Sequence, residues 1–207
     1  MLQKQTIEPG TLSILNALME IPELSNFNLV GGTALALKYG HRKSIDLDLF
    51  SVDPFDRQII INTLQDTFDK SFEYDGSFSK WGIFGYIDNV KVDVVYYPHS
   101  LLEAPVTDEN IRFASDKDLI AMKIQAILGR GKKKDFWDVA EILKHFHIQE
   151  IINFHKAKYP NQMLGITIPQ ALVYFVDAED SVSPVSLNMS WEEVKTLIKQ
   201  KVNDYLK

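Results

Sequence analysis

The stretch from Leu29 to Phe50, LVGGTALALKYGHRKSIDLDLF, limits the possible folds more than any other part of the chain. An apolar pair, Leu29 and Val30, runs into Gly31 and Gly32, then a short helical pattern, then an alternating strand. Two glycines after a strand make a tight turn with no side chain in the way, so backbone N–H groups can approach a ligand closely. Thr33 is placed to cap the following helix, whose open N–H groups and positive dipole end favour a phosphate. Gly40 suits the helix end. In Ile45-Asp46-Leu47-Asp48-Leu49-Phe50, successive side chains point to opposite faces. Asp46 and Asp48 therefore share one face, and Ile45, Leu47 and Leu49 the other. Two adjacent carboxylates repel each other, and a bound Mg²⁺ relieves this directly because hard cations take oxygen ligands. The plain alternative is a solvent-facing strand with two acids.

Around this stretch the chain alternates helical and extended patterns. Residues 8–21 carry Pro9 near the start and then Leu12, Leu15, Leu18 and Met19 at helical spacing, and Ile21-Pro22 ends the run. Asp53-Pro54 opens a helix to about Asp69, with Ile59, Ile60, Leu64 and Phe68 as its apolar side. Ser79–Ile87 reads as a strand in which Gly82 and Gly85 mark bulges or close packing. Asp88-Asn89 fits a two-residue hairpin turn. Val90–Tyr96 is a strongly β-prone strand with Asp93 among valines, where an ionised carboxylate is costly unless paired, hydrogen-bonded or bound to metal. Asp93 is the natural third ligand beside Asp46 and Asp48. Its bland alternative is a wet-face acid beside Lys91.

After Ser115-Asp116 the pattern turns helical, and apolar positions from Leu119 to Ile127 spread widely around the helix axis, implying much burial. Lys123 interrupts them, so it either snorkels or meets a negative partner. The loop Gly129-Arg130-Gly131-Lys132-Lys133-Lys134 leads into a helix carrying Asp135 and Asp138. A lone charge run of this kind is usually a solvated connector. Lys134 and Asp138, four apart, are near neighbours on that helix. Residues 148–207 read as mostly helical, with Pro169–Val176 as one segment, although Val173–Val176 also suits a strand. Asp177, Glu179 and Asp180 read as a solvated acidic loop. Ser190 and Glu193 form a capping box for a last helix striped by Trp191, Val194, Leu197, Ile198, Val202 and Tyr205. The five histidines form no metal-ligand grouping with carboxylates.

Composition narrows the function classes. The net charge of −6 disfavours a broad duplex-binding surface while leaving room for a local basic patch. There are no cysteines, which excludes disulfides and thiolate zinc sites. No stretch reaches the ~18 apolar residues of a membrane span, and the N-terminus lacks an apolar signal core. The expectation is a soluble, cytoplasmic protein with no membrane partner.

The glycine turn, the paired aspartates, the lone strand aspartate and the Lys/Asp helix together resemble the DNA-polymerase-beta-like nucleotidyltransferase superfamily, and within it the AbiEii-type toxin nucleotidyltransferases. The family's Gly-Ser turn with a downstream Asp-x-Asp corresponds to Gly32, Thr33, Asp46 and Asp48. Its lone Asp corresponds to Asp93. Its Lys-Leu, five residues, Arg pattern corresponds to Lys123-Ile124 through Arg130. Its Arg-x-Lys-Asp-x-x-Asp corresponds to Lys132, Lys134, Asp135 and Asp138. Thr33 keeps the hydroxyl of the usual Ser, Lys132 keeps the charge of the usual Arg without its planar fork, and Asp93 precedes Lys123 in this chain. The matches run from about residue 29 to 143.

The resemblance implies an α+β fold, a polymerase-beta-like core of mixed β-sheet flanked by helices with a mostly helical C-terminal part. Residues 1–115 would be the catalytic core, and 116–207 a helical region completing the active site. It implies transfer of a nucleotidyl group from an NTP to an acceptor, with tRNA or another RNA as one possible acceptor, and the toxin half of a toxin–antitoxin pair with a cognate antitoxin protein. Asp46, Asp48 and Asp93 would hold Mg²⁺ in a two-metal site. Gly32 and Thr33 would hold the triphosphate, and Lys123, Arg130 and Lys134 would neutralise it. Asp135 and Asp138 would orient those cations or the base rather than bind metal. The competing classes are a non-catalytic nucleotide-binding module and a small-molecule, antibiotic-type nucleotidyltransferase.

Overall fold

A computed structural model describes residues 1–77 and 79–207. In chain order its elements are α1 (Pro9–Glu20), β1 (Asn28–Val30), α2 (Gly31–Tyr39), β2 (Leu47–Ser51), α3 (Arg57–Phe68), β3 (Phe72–Glu73), β4 (Gly82–Ile87), β5 (Val90–Tyr96), β6 (Val106–Asp108), β7 (Ile111–Phe113), α4 (Asp116–Gly129), α5 (Lys133–His145), α6 (Ile148–Lys158), α7 (Ile168–Leu172), α8 (Val176–Glu179) and α9 (Trp191–Leu206).

The strands form one mixed sheet in the order β3-β4-β5-β2-β1-β7-β6. β2 lies parallel to β5 and antiparallel to β1, and β1 lies parallel to β7. The pleat does what the alternation in β2 requires. Leu47 and Leu49 are fully buried, while Asp48 and Phe50 are half-buried on the other face. Ile45 departs from the expected core face. It lies ahead of the strand and is exposed, so the apolar stripe begins at Leu47.

The β4–β5 hairpin turns at Asp88 and Asn89, both at positive φ (48° and 64°), the conformation a two-residue primed turn needs. The glycines of β4 serve close packing. A Cβ on Gly82 would lie 2.6 Å from the Val94 carbonyl oxygen, and one on Gly85 would lie 2.8 Å from that of Glu73. The strand begins at Gly82, three residues later than the alternation suggests. α3 likewise begins late. Asp56, not Asp53, is its cap, accepting from the Gln58 and Ile59 N–H groups, and Ile59 faces solvent. Val173–Val176 is no strand. Residues 173–175 link the short helices α7 and α8, and Val176 opens α8. Nor is the acidic run 177–180 a free loop. Glu179 closes α8 and accepts from Trp191 Nε1 at 3.0 Å and Lys195 Nζ at 3.1 Å.

Helices pack on the sheet as a second layer, with α2 against both α4 and α5, and further helices behind them, α6 against α4 and α9 against α5. α5 explains the depth of this packing. Nine consecutive residues, Asp135 to Leu143, are buried, so it is a core helix despite three acids. α9 opens with the Ser190/Glu193 capping box and buries Val194, Ile198 and Val202. Among the described residues no helix is long and apolar enough to cross a membrane.

Candidate active site

β2 and β5 set the site. Their parallel register places Asp48 directly opposite Asp93, and Val30 opposite Asp48 on the other side. Asp46 precedes β2 on the same side and lines the same cleft of ≈ 410 Å³, together with Gly31, Gly32, Arg42, Lys123, Arg130 and Lys134. The cleft thus brings together Gly32, Asp46, Asp48, Asp93, Lys123, Arg130 and Lys134 from the sequence-derived set. Thr33, Asp135 and Asp138 lie outside its lining.

Thr33 is not a cap. α2 begins at Gly31, with Val30 as its cap residue, so Thr33 sits inside the first turn and is fully buried. Its hydroxyl donates to the Asp46 carbonyl and lies 2.9 Å from Ser44 Oγ. The side chain therefore ties the loop before β2 to α2. The glycines also act differently from a simple ligand approach. A Cβ on Gly31, which sits at φ +72°, would fall 2.2 Å from Asp48 Oδ2, and one on Gly32 2.2 Å from an Arg42 nitrogen. The turn is bare so that the protein's own carboxylate and guanidinium can come in over the N-terminus of α2.

The three carboxylates are unequal. Asp93 is buried, with Oδ2 against Lys91 Nζ, while Oδ1 has no hydrogen-bond partner among the described residues. Burial, and then repulsion from Asp93, pushes the Asp48 carboxyl up to about 6. Asp46 Oδ2 lies 3.3 Å from Lys134 Nζ, so Lys134 turns to the sheet rather than to Asp138 on its own helix. Among the described residues no three His, Asp or Glu side chains are already gathered into a cation cage. The donor set nevertheless fits a divalent cation. An orphaned buried oxygen on Asp93 faces a neighbouring carboxylate that holds its negative charge at a cost, and hard oxygen donors of this kind suit Mg²⁺.

Behind the cleft lies a buried ionic hub. Asp138 Oδ1 accepts from His41 Nε2 and Arg42 Nε, both at 2.6 Å, and Oδ2 from Arg42 Nη2 at 2.9 Å and Lys123 Nζ at 2.7 Å. Lys123 also reaches Asp135 at 3.0 Å, and Arg130 Nε meets Asp135 at 3.2 Å. Burial opposes ionising Asp138, but Arg42, Lys123 and the His41 hydrogen bond hold its carboxyl well below the usual range. Burial likewise opposes Asp135, and Lys123 and Arg130 hold it low. Both acids orient cations that line the cleft. His41 and Arg42 complete this hub, and the sequence reading missed both. The available signal was Asp138 itself, an acid among Phe136, Trp137, Val139 and Ala140 that has to find cations somewhere.

Residues 13–163 match the family described as "Nucleotidyl transferase AbiEii toxin, Type IV TA system". The uncharacterized protein aq_aa25 of Aquifex aeolicus is 37% identical over 188 residues, covering 88% of this chain and 89% of that protein. The fold is similar to MenT4, the nucleotidyltransferase toxin Rv2826c of Mycobacterium tuberculosis, with a TM-score of 0.59, 12% identity, and 93% and 81% of the two chains covered. It is also similar to JHP933 of Helicobacter pylori, with a TM-score of 0.57, 18% identity, and 95% and 92% covered. The chain is a nucleotidyltransferase and belongs to the AbiEii toxin family.

Proposed function

We propose that this chain moves a nucleoside monophosphate from an NTP to the terminal hydroxyl of an RNA, tRNA among the candidates, in a Mg²⁺-dependent reaction, as the toxin of a toxin–antitoxin pair. The observation that carries the reading is the convergence of Asp46, Asp48 and Asp93 with the α2 N-terminus and Lys123, Arg130 and Lys134 in one cleft. A metal ion bound between the carboxylates would neutralise phosphate charge and acidify an acceptor hydroxyl. The chain's own residues supply the rest. The positive end of the α2 dipole, which meets the cleft at Gly31 and Gly32, favours the terminal phosphates. Lys123, Arg130 and Lys134 balance charge on the triphosphate. Asp93, whose Oδ1 has no partner among the described residues, would hold the cation and so help the acceptor hydroxyl lose its proton, which passes to solvent. The freed oxygen attacks the α-phosphorus, a new O–P bond forms as the bond to the β-phosphate bridge breaks, and pyrophosphate leaves with that bond's electron pair.

An adjoining groove, lined by Arg42, Lys43, Lys132 and Lys134 and reaching Asp46, supports a polyanionic acceptor. Asp177 and Asp180 on its far side limit the contact to a short backbone segment. The division into a catalytic core, 1–115, and a helical region, 116–207, that completes the active site draws support from Lys123, Arg130 and Lys134, which reach the cleft from the second part. The test is incubation with each of the four α-labelled NTPs, total RNA and Mg²⁺. Label should enter RNA with the wild type and vanish with Asp46→Ala. Full labelling by that variant overturns the metal role of the carboxylates, and label only in an added aminoglycoside overturns the RNA reading.

A further inference from the structure

The cleft has an uncharged part that the transfer chemistry leaves unused. Phe50 stands two residues beyond Asp48 on the same face of β2, and a strand advances ~3.3 Å per residue, so the ring lies about one ribose away from the carboxylates. Phe50 and Tyr97 rings sit 5.3 Å apart, centroid to centroid, and both line the cleft. Across from them α4 presents Met122, Gln125 and Ala126. Two aromatic rings with one amide opposite are what a nucleobase needs, a π-face to stack on and a polar group to read its edge.

Both elements are held from behind by α6. His155 Nε2 bonds Gln125 Oε1 at 2.9 Å, and four residues on, the Tyr159 hydroxyl bonds the Tyr97 hydroxyl at 2.6 Å. The rings of His155 and Tyr159 pack at 4.9 Å. His155 is 1% exposed and burial keeps its imidazole below the usual range, so it is neutral and offers one N–H. With that proton on Nε2, it donates to Gln125 Oε1 and leaves the amide NH₂ as a donor without a protein partner among the described residues.

We propose that Gln125 selects the nucleobase, with buried His155 as the positioning residue that turns its NH₂ group into the cleft, and that the base selected carries a carbonyl at C6 or C4, guanine or uracil, over adenine and cytosine, which carry an amine at that position. A donor facing an exocyclic amine leaves both unpaired, and such mismatches are rejected more strongly than lost apolar contacts. This role rests on the proposed function, since it requires a nucleoside triphosphate in the cleft.

The test is steady-state transfer with ATP, GTP, CTP and UTP as separate substrates. The wild type should favour GTP over ATP, or UTP over CTP, by about tenfold or more, the worth of one read hydrogen bond. Gln125→Ala should bring that ratio to about twofold, mainly through KM. Gln125→Glu, an acceptor at the same place, should reverse it. His155→Phe should act like Gln125→Ala, and His155→Gln, which restores a donor, should recover the preference. A wild type with no keto preference, or a Gln125→Ala ratio equal to wild type, overturns the assignment while nucleotide transfer stands. Failure of the wild type to bind or transfer any of the four overturns the proposed function itself.

Discussion

Replacing Asp138 with alanine isolates what the buried hub contributes. Arg42 loses two bonds, at 2.6 and 2.9 Å, and keeps the Lys43 carbonyl at 2.9 Å. Lys123 loses its 2.7 Å contact and keeps Asp135 at 3.0 Å. His41 loses the partner of Nε2, and its Nδ1 has none among the described residues. Arg42 and Lys123 are 3% and 6% exposed, so water cannot readily substitute. Removing one side of a buried ion pair costs ~3–5 kcal/mol. The remaining bonds of Arg42 and Lys123 place this site inside that range rather than above it. The assay is urea unfolding at pH 7, with a lower midpoint and an unchanged m-value. The pH dependence has a definite sign. The Asp138 carboxyl is held well below its ordinary value, so its contribution is present above the unfolded pKa of ~3.9 and is lost as pH falls further, toward the folded value. The gap between wild type and Asp138→Ala should therefore be constant from pH 7 to 5 and narrow below ~4. A loss under ~1 kcal/mol at pH 7 would place the pair among interactions worth no more than surface bridges and refute the hub as a stabilising unit.

Three other outcomes follow from the same geometry. Asp48→Asn should abolish transfer yet stabilise the fold at pH 8. The raised folded pKa of about 6 means that wild-type stability falls as pH rises through that value. The distance from the ordinary carboxylate value sets an upper limit of ~3 kcal/mol, which the open cleft reduces. Urea midpoints at pH 4 and 8 check it, with the gain absent at pH 4. Chelation with EDTA should stop transfer without changing the far-UV circular dichroism, since the cation proposed above would sit in the cleft and not in the core. Gly82→Ala forces a Cβ to 2.6 Å from a backbone oxygen, and should cost ~1–3 kcal/mol, read as a drop of several degrees in Tm, with slower transfer because Asp93 lies on the adjoining strand.

Elements with strong local pattern were legible in the sequence. The alternation in β2, the Asp88-Asn89 turn and the capping box at Ser190 each carry their geometry in adjacent residues, and the structure has all three. What escaped was non-local. β6 and β7 are three residues each, joined at Glu109 and Asn110 with φ of 47° and 66°, too short for a periodic signal. Arg112 looks like an ordinary strand residue. Only the fold shows it donating to the carbonyls of Met19, Leu24 and Phe27, which fastens the end of α1 and the segment after it to β7. In the site, the carboxylates were readable because acids on β-prone strands are anomalous at the level of the strand. His41 and Arg42 were not, because a basic pair after a helix-ending glycine reads as a wet loop until Asp138 arrives from 96 residues away.

The ionic groups of the site fall into two layers with opposite thermodynamics. In the hub each acid meets at least two cations at hydrogen-bond distance, so its charge is settled within the protein. In the cleft the balance is left open. Among the described residues Asp93 keeps an unpartnered oxygen, and Asp48 is ionised against its surroundings. The two layers share Arg42, Lys123 and Arg130, which belong to the hub by their bonds and to the cleft by their places in the lining. The hub clamps α4 and α5 to the loop after α2, and so fixes how far Arg130 and Lys134 stand from the strands that carry the carboxylates. Loosening the hub should therefore alter the spacing of the cleft before it unfolds the chain, whereas neutralising a cleft acid should leave the spacing intact and remove only the unsatisfied charge. A fold that concentrates its electrostatic cost on the cleft face of β2 and β5, and satisfies the charges immediately behind, is arranged to hold that cost for a ligand to relieve.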